Sequence, residues 1–442
     1  MLKTLKYGRK SCRVFQQTIV SRRSFLAEAY RCTEAWQARL QSPLLQKIKP
    51  HSFFIEIDHK YSITGKYSAI DVDLFANTIQ DKEQVEELLS TIYNLRLTSD
   101  TTNTLESTHH ATIRYLLDND LTEELVTVLH DRLNYGIFPD YQCYNILMDT
   151  YLKKEDYASA AKIAVLPMLQ EDNTNPITNA LSIYSCYKYL EKPEVWIKPQ
   201  PEEDTGEEIK VRVHYLQNEY FDDHFDLTDP RDLVGKTLAF YGKLMCNTLG
   251  RTCQLRGLIL YKKYEEVSNV IEEWLKDVKD DVVYKEVFDL IQKDNESIPE
   301  EEIKNVMLKL DKLKTQKLCE NSLTKAIENE VKFAVDKQAD IDIAEQLKAY
   351  NDWIKKREIV LQKQNDMHNR EVRLKNVEEI KKSLAKQERL LTFFDNEEEI
   401  ELKIEELEKA DKKEMERVLK QHGAERKLRK LKEKEVYRPP TF

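Results

Sequence analysis

A chain of 442 residues is longer than a single hydrophobic core usually grows, about 250 to 300 residues, so more than one body is expected. Charged residues make up 33% and the apolar set 41%, with only 9 Gly and 12 Pro. That balance argues against β sandwiches and disordered chains and for long solvated helices, and the expected fold class is all-α.

The formal charge of −10 conceals an asymmetry at the start of the chain. Residues 1 to 27 carry seven cations and no acid, so the rest of the chain carries −17. Apolar Leu2, Leu5, Val14, Phe15, Ile19 and Val20 lie between those cations, with hydroxyls at Thr4, Ser11, Thr18, Ser21 and Ser24. This is the makeup of a mitochondrial transit peptide, assigned to residues 1–25. The string RRSF at 22 to 25 places an Arg two residues before Phe25, which marks a matrix-protease cut near Phe25 or Leu26. A basic arm kept for RNA contact is the alternative. No apolar run approaches the ~18 residues needed to span a bilayer, so no membrane span is expected and the mature protein should be soluble. Seven cysteines without a CxxC pair indicate neither a zinc site nor a disulfide frame; Cys246 and Cys253, seven apart, would share one helix face.

After an N-terminal segment at 26–66, residues 67–190 repeat a short helix, a polar turn, a second helix and another turn. The second helices open on Val85, Leu121 and Tyr157, spaced by 36 residues each time. A fixed period of that size predicts an α-solenoid of degenerate helical hairpins, each burying its apolar face only by stacking on its neighbours. Gly136 is placed to end a helix, Pro139 to block its continuation and Asp140 to cap the next one. Asn175-Pro176 recurs 37 residues after Pro139 and opens a further helix, so the period is loose.

Residues 191–230 break the pattern. Acids outnumber cations there, and Pro193, Pro199 and Pro201 predict an acidic insertion loop. Helical patterning resumes at 231–330 as a second half of the array, with helices expected at 282–293 and 301–328. Residues 331–442 read as a long charged C-terminal helix with broken heptads: Leu347, Ile354 and Leu361 step by sevens, as do Val377, Leu384 and Leu391. Its end turns basic.

No arrangement of residues argues catalysis, and neither a cofactor nor a metal is expected. VGKT at 234–237 would need a glycine at 230 to form a phosphate loop, and Pro230 stands there. FDDHFD at 221–226 reads as solvated loop charge, and His109-His110 as part of a repeat.

The stretch YGIFPDYQCYNILMDTYLKKEDY, residues 135–157, resembles the opening of a pentatricopeptide repeat, as does the Ala-rich helix after it. In such repeats an Asn five residues into the first helix can read an RNA base; the matching position is Asn145. Thirty-six residues earlier stands His109, and thirty-six before that Asp73, so no consecutive code is present. The same stretch, with the basic leader and the long charged tail, is similar to the mitochondrial small-ribosomal-subunit protein family numbered twenty-seven in its series. The resemblance implies a structural component of the mitochondrial ribosome in the matrix, supporting mitochondrial translation and contacting small-subunit rRNA and neighbouring ribosomal proteins. Transfer or messenger RNA are further candidate partners. Candidate RNA-binding residues are Arg114, Asn145, Lys153 and Lys154 on the repeats, and Arg426, Lys427, Arg429, Lys430, Lys432 and Lys434 in the tail. The rival readings are a free mitochondrial RNA-binding repeat factor and a helical protein-binding scaffold.

Overall fold

Gly65 caps the helix that ends at Thr64, but four later turns in this glycine-poor chain are built by other residues. Asp120, Glu155, Glu171 and Lys262 all take left-handed backbone angles, with φ between 54° and 63°. After each, an N–H bonds back across the helix end: Leu121 to Leu116, Asp156 to Tyr151, Asp172 to Pro167 and Lys263 to Leu258, at 2.9 to 3.0 Å. These bonds satisfy helix-terminal carbonyls that would otherwise lack partners, and they turn the chain within two residues. Gly136 is left-handed too, but it lies beyond the helix that ends at His130 and closes a separate turn.

The computed structural model describes residues 24–193, 196, 222–277, 281–294, 300–392, 394 and 396–435. The transit peptide expected at 1–25 falls almost wholly outside them, as do most of the acidic insertion and the last seven residues. The described chain is all-α, with a single isolated parallel bridge between Tyr284 and Cys319. In chain order the helices are α1 (Thr33–Ala38), α2 (Pro50–Thr64), α3 (Ala69–Thr78), α4 (Val85–Arg96), α5 (Glu106–Asp118), α6 (Thr122–His130), α7 (Tyr141–Lys153) and α8 (Tyr157–Leu169). They continue as α9 (Pro176–Glu191), α10 (Pro230–Leu244), α11 (Thr248–Leu260), α12 (Tyr264–Asp277), α13 (Glu286–Asp294), α14 (Glu300–Lys314), α15 (Leu323–Leu391) and α16 (Glu397–Glu435). Contacts divide the chain into two units, 1–358 and 359–442.

In the first unit the odd-numbered helices α3, α5, α7 and α9 pack in succession, and α6 packs on α8. Capping side chains open several of these helices. Asp140 accepts from Cys143 N–H at 2.7 Å and Asp156 from Ser159 N–H at 2.9 Å. Asn175 accepts from Ile177 and Thr178, one residue before Pro176. The apolar core runs without interruption from Trp36 through Phe75, Leu116, Leu147 and Ile163 to Leu181 and Val234.

Helices α10 and α11 meet backbone to backbone through four of the nine glycines. A Cβ on Gly242 would sit 2.5 Å from Gln254 N and 2.7 Å from Gly250 O, and one on Gly257 would sit 2.4 Å from Ala239 N and 2.5 Å from Gly235 O. The glycine of VGKT is thus a helix-packing residue inside α10. Beyond this joint Val267, Ile271, Val287, Ile291, Val306 and Leu310 form a second, smaller core.

Two expectations are corrected here. The helix read over 301–328 is two helices, because the chain between α14 and α15 leaves the helix to pair with 282–285: Val282 N–H donates to Lys317 O and Cys319 N–H to Val283 O, both at 3.0 Å. Cys246 lies before α11 and is exposed, whereas Cys253 is buried within it.

Candidate nucleic-acid interface

The fifth residues of α3, α5 and α7 are Asp73, His110 and Asn145, the position from which a pentatricopeptide repeat reads RNA. Counted from the helix starts, the middle repeat offers His110; the 36-residue spacing points to His109. None of the three faces solvent, because the chain's own α15 and N-terminal segment lie against them.

Asp73, 0% exposed, accepts from Arg357 Nε of α15 at 2.6 Å. Its other oxygen takes Thr108 Oγ1 and Asn77 Nδ2, both at 3.0 Å, and the Ser107 hydroxyl. One repeat on, His110 Nε2 lies 3.1 Å from the hydroxyl of Tyr350 on α15, and its Nδ1 lies 2.8 Å from Asp140 Oδ2. In the third repeat Asn145 donates to the Tyr30 hydroxyl at 2.8 Å and accepts from Thr178 at 2.8 Å. Tyr30 in turn donates to Asp342 of α15 at 2.7 Å, and Asn175 donates to the same oxygen at 2.9 Å. Burial, with Asp342 adding to it, holds the Tyr30 phenol far above its ordinary range, so it serves as a neutral donor.

Along α15 the buried residues are Leu323, Ile327, Val331, Ala334, Asp342, Gln346, Tyr350, Trp353 and Arg357. The steps of three and four, with one of eight between Ala334 and Asp342, keep them on one face. That face is offset from the expected heptad: Leu347 is 40% exposed, and Ile354 and Leu361 are half-buried. The apolar end of the stripe is held by the core, and the polar end meets the polar fifth positions of the repeats. Burying so many polar groups is tolerable because Asp342, Tyr350 and Arg357 find partners; the Gln346 Nε2 is buried without one.

Asn145 and Arg114 therefore leave the set of exposed RNA ligands. Asn145 is 0% exposed, and Arg114, 2% exposed, donates to Arg31 O at 2.8 Å. Lys153 and Lys154 stand at the end of α7, paired with Asp149 and Asp120 at 3.2 Å each. Arg426, Lys427, Arg429 and Lys430 are exposed on α16; Lys432 and Lys434 belong to the same helix.

The groove is not closed along its whole length. A cleft of about 500 Å³ opens where α1 and its following turn face α15, lined by Trp36, Arg39, Asn77, Tyr350, Trp353 and Arg357. The Arg39 guanidinium lies 3.7 Å over the Trp36 ring, and its buried Nε has no partner. Burial, with Arg114 nearby, pushes the Arg39 group down to about 10.

One cluster has the residue types of a metal site: His110, Asp140 and Cys143, with ligand atoms within 4.8 Å of one another. Its members are already engaged. Asp140 caps α7, His110 bridges Asp140 and Tyr350, and Cys143 Sγ rests 3.3 Å from His110 Nδ1. Burial, with Asp140 adding to it, raises the Cys143 thiol well above its usual range, which favours the protonated form over a thiolate ligand.

A family model described as mitochondrial 28S ribosomal protein S27 matches residues 1–385. The chain belongs to that family. Membership in the mitochondrial 28S ribosomal protein S27 family makes it a protein of the mitochondrial small ribosomal subunit, located in the matrix with the ribosome. Among the described residues no helix is long and apolar enough to cross a membrane. The matched residues include the groove-filling part of α15. The polar positions of that stripe had no sequence signal of their own, because each is explained only by a partner far away in the chain.

Proposed function

We propose that this S27-family chain is a structural, non-catalytic part of the small subunit that supports mitochondrial translation by contacting rRNA and neighbouring ribosomal proteins through surfaces outside the filled groove. The observation that carries this reading lies in the second unit. Residues 365–391 of α15 and 401–427 of α16 are exposed without exception, and they include Val377, Ile380, Leu384, Leu402, Ile404 and Leu407. Helices that bury nothing of their own chain gain little tertiary stabilisation, and exposed apolar residues in such numbers fit a surface that neighbours cover.

Phosphate contact falls to Arg426, Lys427, Arg429, Lys430, Lys432 and Lys434, joined by Lys153 and Lys154 at the end of α7. Such contacts position the protein on RNA without reading sequence. A free RNA factor of the repeat class is disfavoured, since its base-reading positions are held by α15, the N-terminal Tyr30 and Thr178.

Sedimentation tests the reading. The protein should co-migrate with small-subunit rRNA in a sucrose gradient of mitochondrial lysate and leave that position when magnesium is chelated. Reversing Arg426, Lys427, Arg429 and Lys430 to Glu should deplete the subunit fraction severalfold. Unchanged incorporation would remove the tail from the account, and migration as a small free species in both gradients would end the ribosomal one.

A further inference from the structure

The carboxylate of Asp149 on α7 is 3% exposed and is surrounded by the beginning of the described chain. Phe25 N–H donates to its Oδ1 at 2.9 Å, Leu26 N–H reaches the same oxygen at 3.4 Å, and the Ser24 hydroxyl lies 3.1 Å from Oδ2. Lys153 holds Oδ2 from the solvent side at 3.2 Å. Oδ1 is thus given over to the backbone nitrogens of two consecutive residues.

The residues after this point are docked. The Phe25 ring packs edge-on against Tyr184 with centroids 4.9 Å apart, Leu26 is buried, and Tyr30 closes the polar network around Asp342. Arg23 stands two residues before Phe25, the spacing of a matrix-processing site. Hydrolysis of the Ser24–Phe25 bond would leave the new carboxylate on Ser24 and the new amine on Phe25. That amine is the nitrogen already 2.9 Å from Oδ1. Cleavage one bond later would discard the Phe25 ring, and cleavage well upstream would leave a neutral amide at this place.

We propose that the mature chain begins at Phe25 and that its α-ammonium is captured by Asp149, so that presequence removal converts a neutral hydrogen bond into an ion pair. The inference rests on the transit-peptide reading, with the end of that segment set at residue 24 in place of 25, as well as on this geometry. A charge-assisted bond to a shielded carboxylate is roughly twice as strong as its neutral counterpart, so processing would stabilise the fold that holds α7 against the N-terminal segment.

Two measurements test it. The protein is isolated from mitochondria and its free amines are labelled before digestion, which identifies the first residue. Phe25 is expected; Met1, or any residue from Leu26 onward, would overturn the proposal. Independently, chains beginning at Phe25 and at Met1 are compared in denaturant, each with and without Asp149→Asn. The substitution should reduce the folded-to-unfolded ratio roughly tenfold more in the chain beginning at Phe25. That excess should disappear above about pH 9, as the amine, raised from an unfolded value near 8 by its partner, loses its proton. Equal losses in both chains at neutral pH would show that Asp149 only caps backbone amides and would refute capture even where the terminus is Phe25. Failure of the ribosomal reading would show instead in the gradient and would leave both results untouched.

Discussion

Arg357 and Asp73, 284 residues apart in the chain, form an ion pair at 2.6 Å in which neither side chain is more than 3% exposed. The pair fastens α15 to the first repeat and occupies the position from which that repeat would read a base. Removing one partner of a buried pair leaves the other charge uncompensated, at a cost of roughly 3–5 kcal/mol. Arg357→Ala should therefore destabilise the first unit by about that much in denaturant titrations. Arg357→Met combined with Asp73→Leu should recover most of the loss, because two apolar groups leave no stranded charge. Hydrogen exchange should show α15 near 350–357 opening in the single variant.

The glycine joint leads to a second expectation. Gly242 and Gly257 allow α10 and α11 to approach until a Cβ would overlap backbone atoms at 2.4 to 2.7 Å. Backbone cannot rotate away as a side chain does, so the helices must separate. Gly242→Ala or Gly257→Ala should cost more than about 2 kcal/mol, the upper range for overpacking. Gly423, with nothing within 4 Å of its would-be Cβ, serves as the control. Gly423→Ala should be neutral to slightly stabilising, by up to about 1 kcal/mol.

The helix starts were readable because they are a local property. Val85 and Tyr157 open α4 and α8, and Leu121 immediately precedes α6. Apolar spacing and polar turns report each hairpin without reference to the others. The groove was not readable in that way. Leu347, Ile354 and Leu361 are the residues a hydrophobic pattern selects on α15, yet the buried face there is Gln346, Tyr350, Trp353 and Arg357. Tyr350 and Arg357 can be buried because Asp73, His110 and Gln142 supply their partners from more than 200 residues away. Asn145 looked like a surface ligand for the same reason: its helix position is local, and its burial by Tyr30 and Thr178 is not.

Glu155 offers a stabilising change. It holds φ at 61° in the turn between α7 and α8, and its side chain is exposed. A residue with a Cβ loses about 1–2 kcal/mol in that conformation, and glycine loses roughly 0.5–1 kcal/mol through its freer unfolded state. Glu155→Gly should raise stability by about 0.5–1 kcal/mol, seen as a later denaturant midpoint with an unchanged slope. No gain would mean that the turn relaxes away from the left-handed conformation in solution.

His109 predicts how the first unit responds to acid. Its ring packs edge-on to Phe138 with centroids 6.2 Å apart, and its Nδ1 is buried without a partner. Burial pushes the ring down to about 4 from an unfolded value near 6.5, against a smaller opposing pull from Asp140 and Glu106. Between those two values the unfolded chain takes up a proton that the folded chain refuses, so the contribution is complete above about pH 6.5 and is lost as pH falls toward 4. Discounted for partial solvation of the ring, the loss should be on the order of 1–2 kcal/mol. His109→Gln, which cannot titrate, should flatten the stability profile across that window while leaving carboxylate titration below pH 4 unchanged. Parallel profiles for the two proteins would show that the folded ring takes up its proton as readily as the unfolded one.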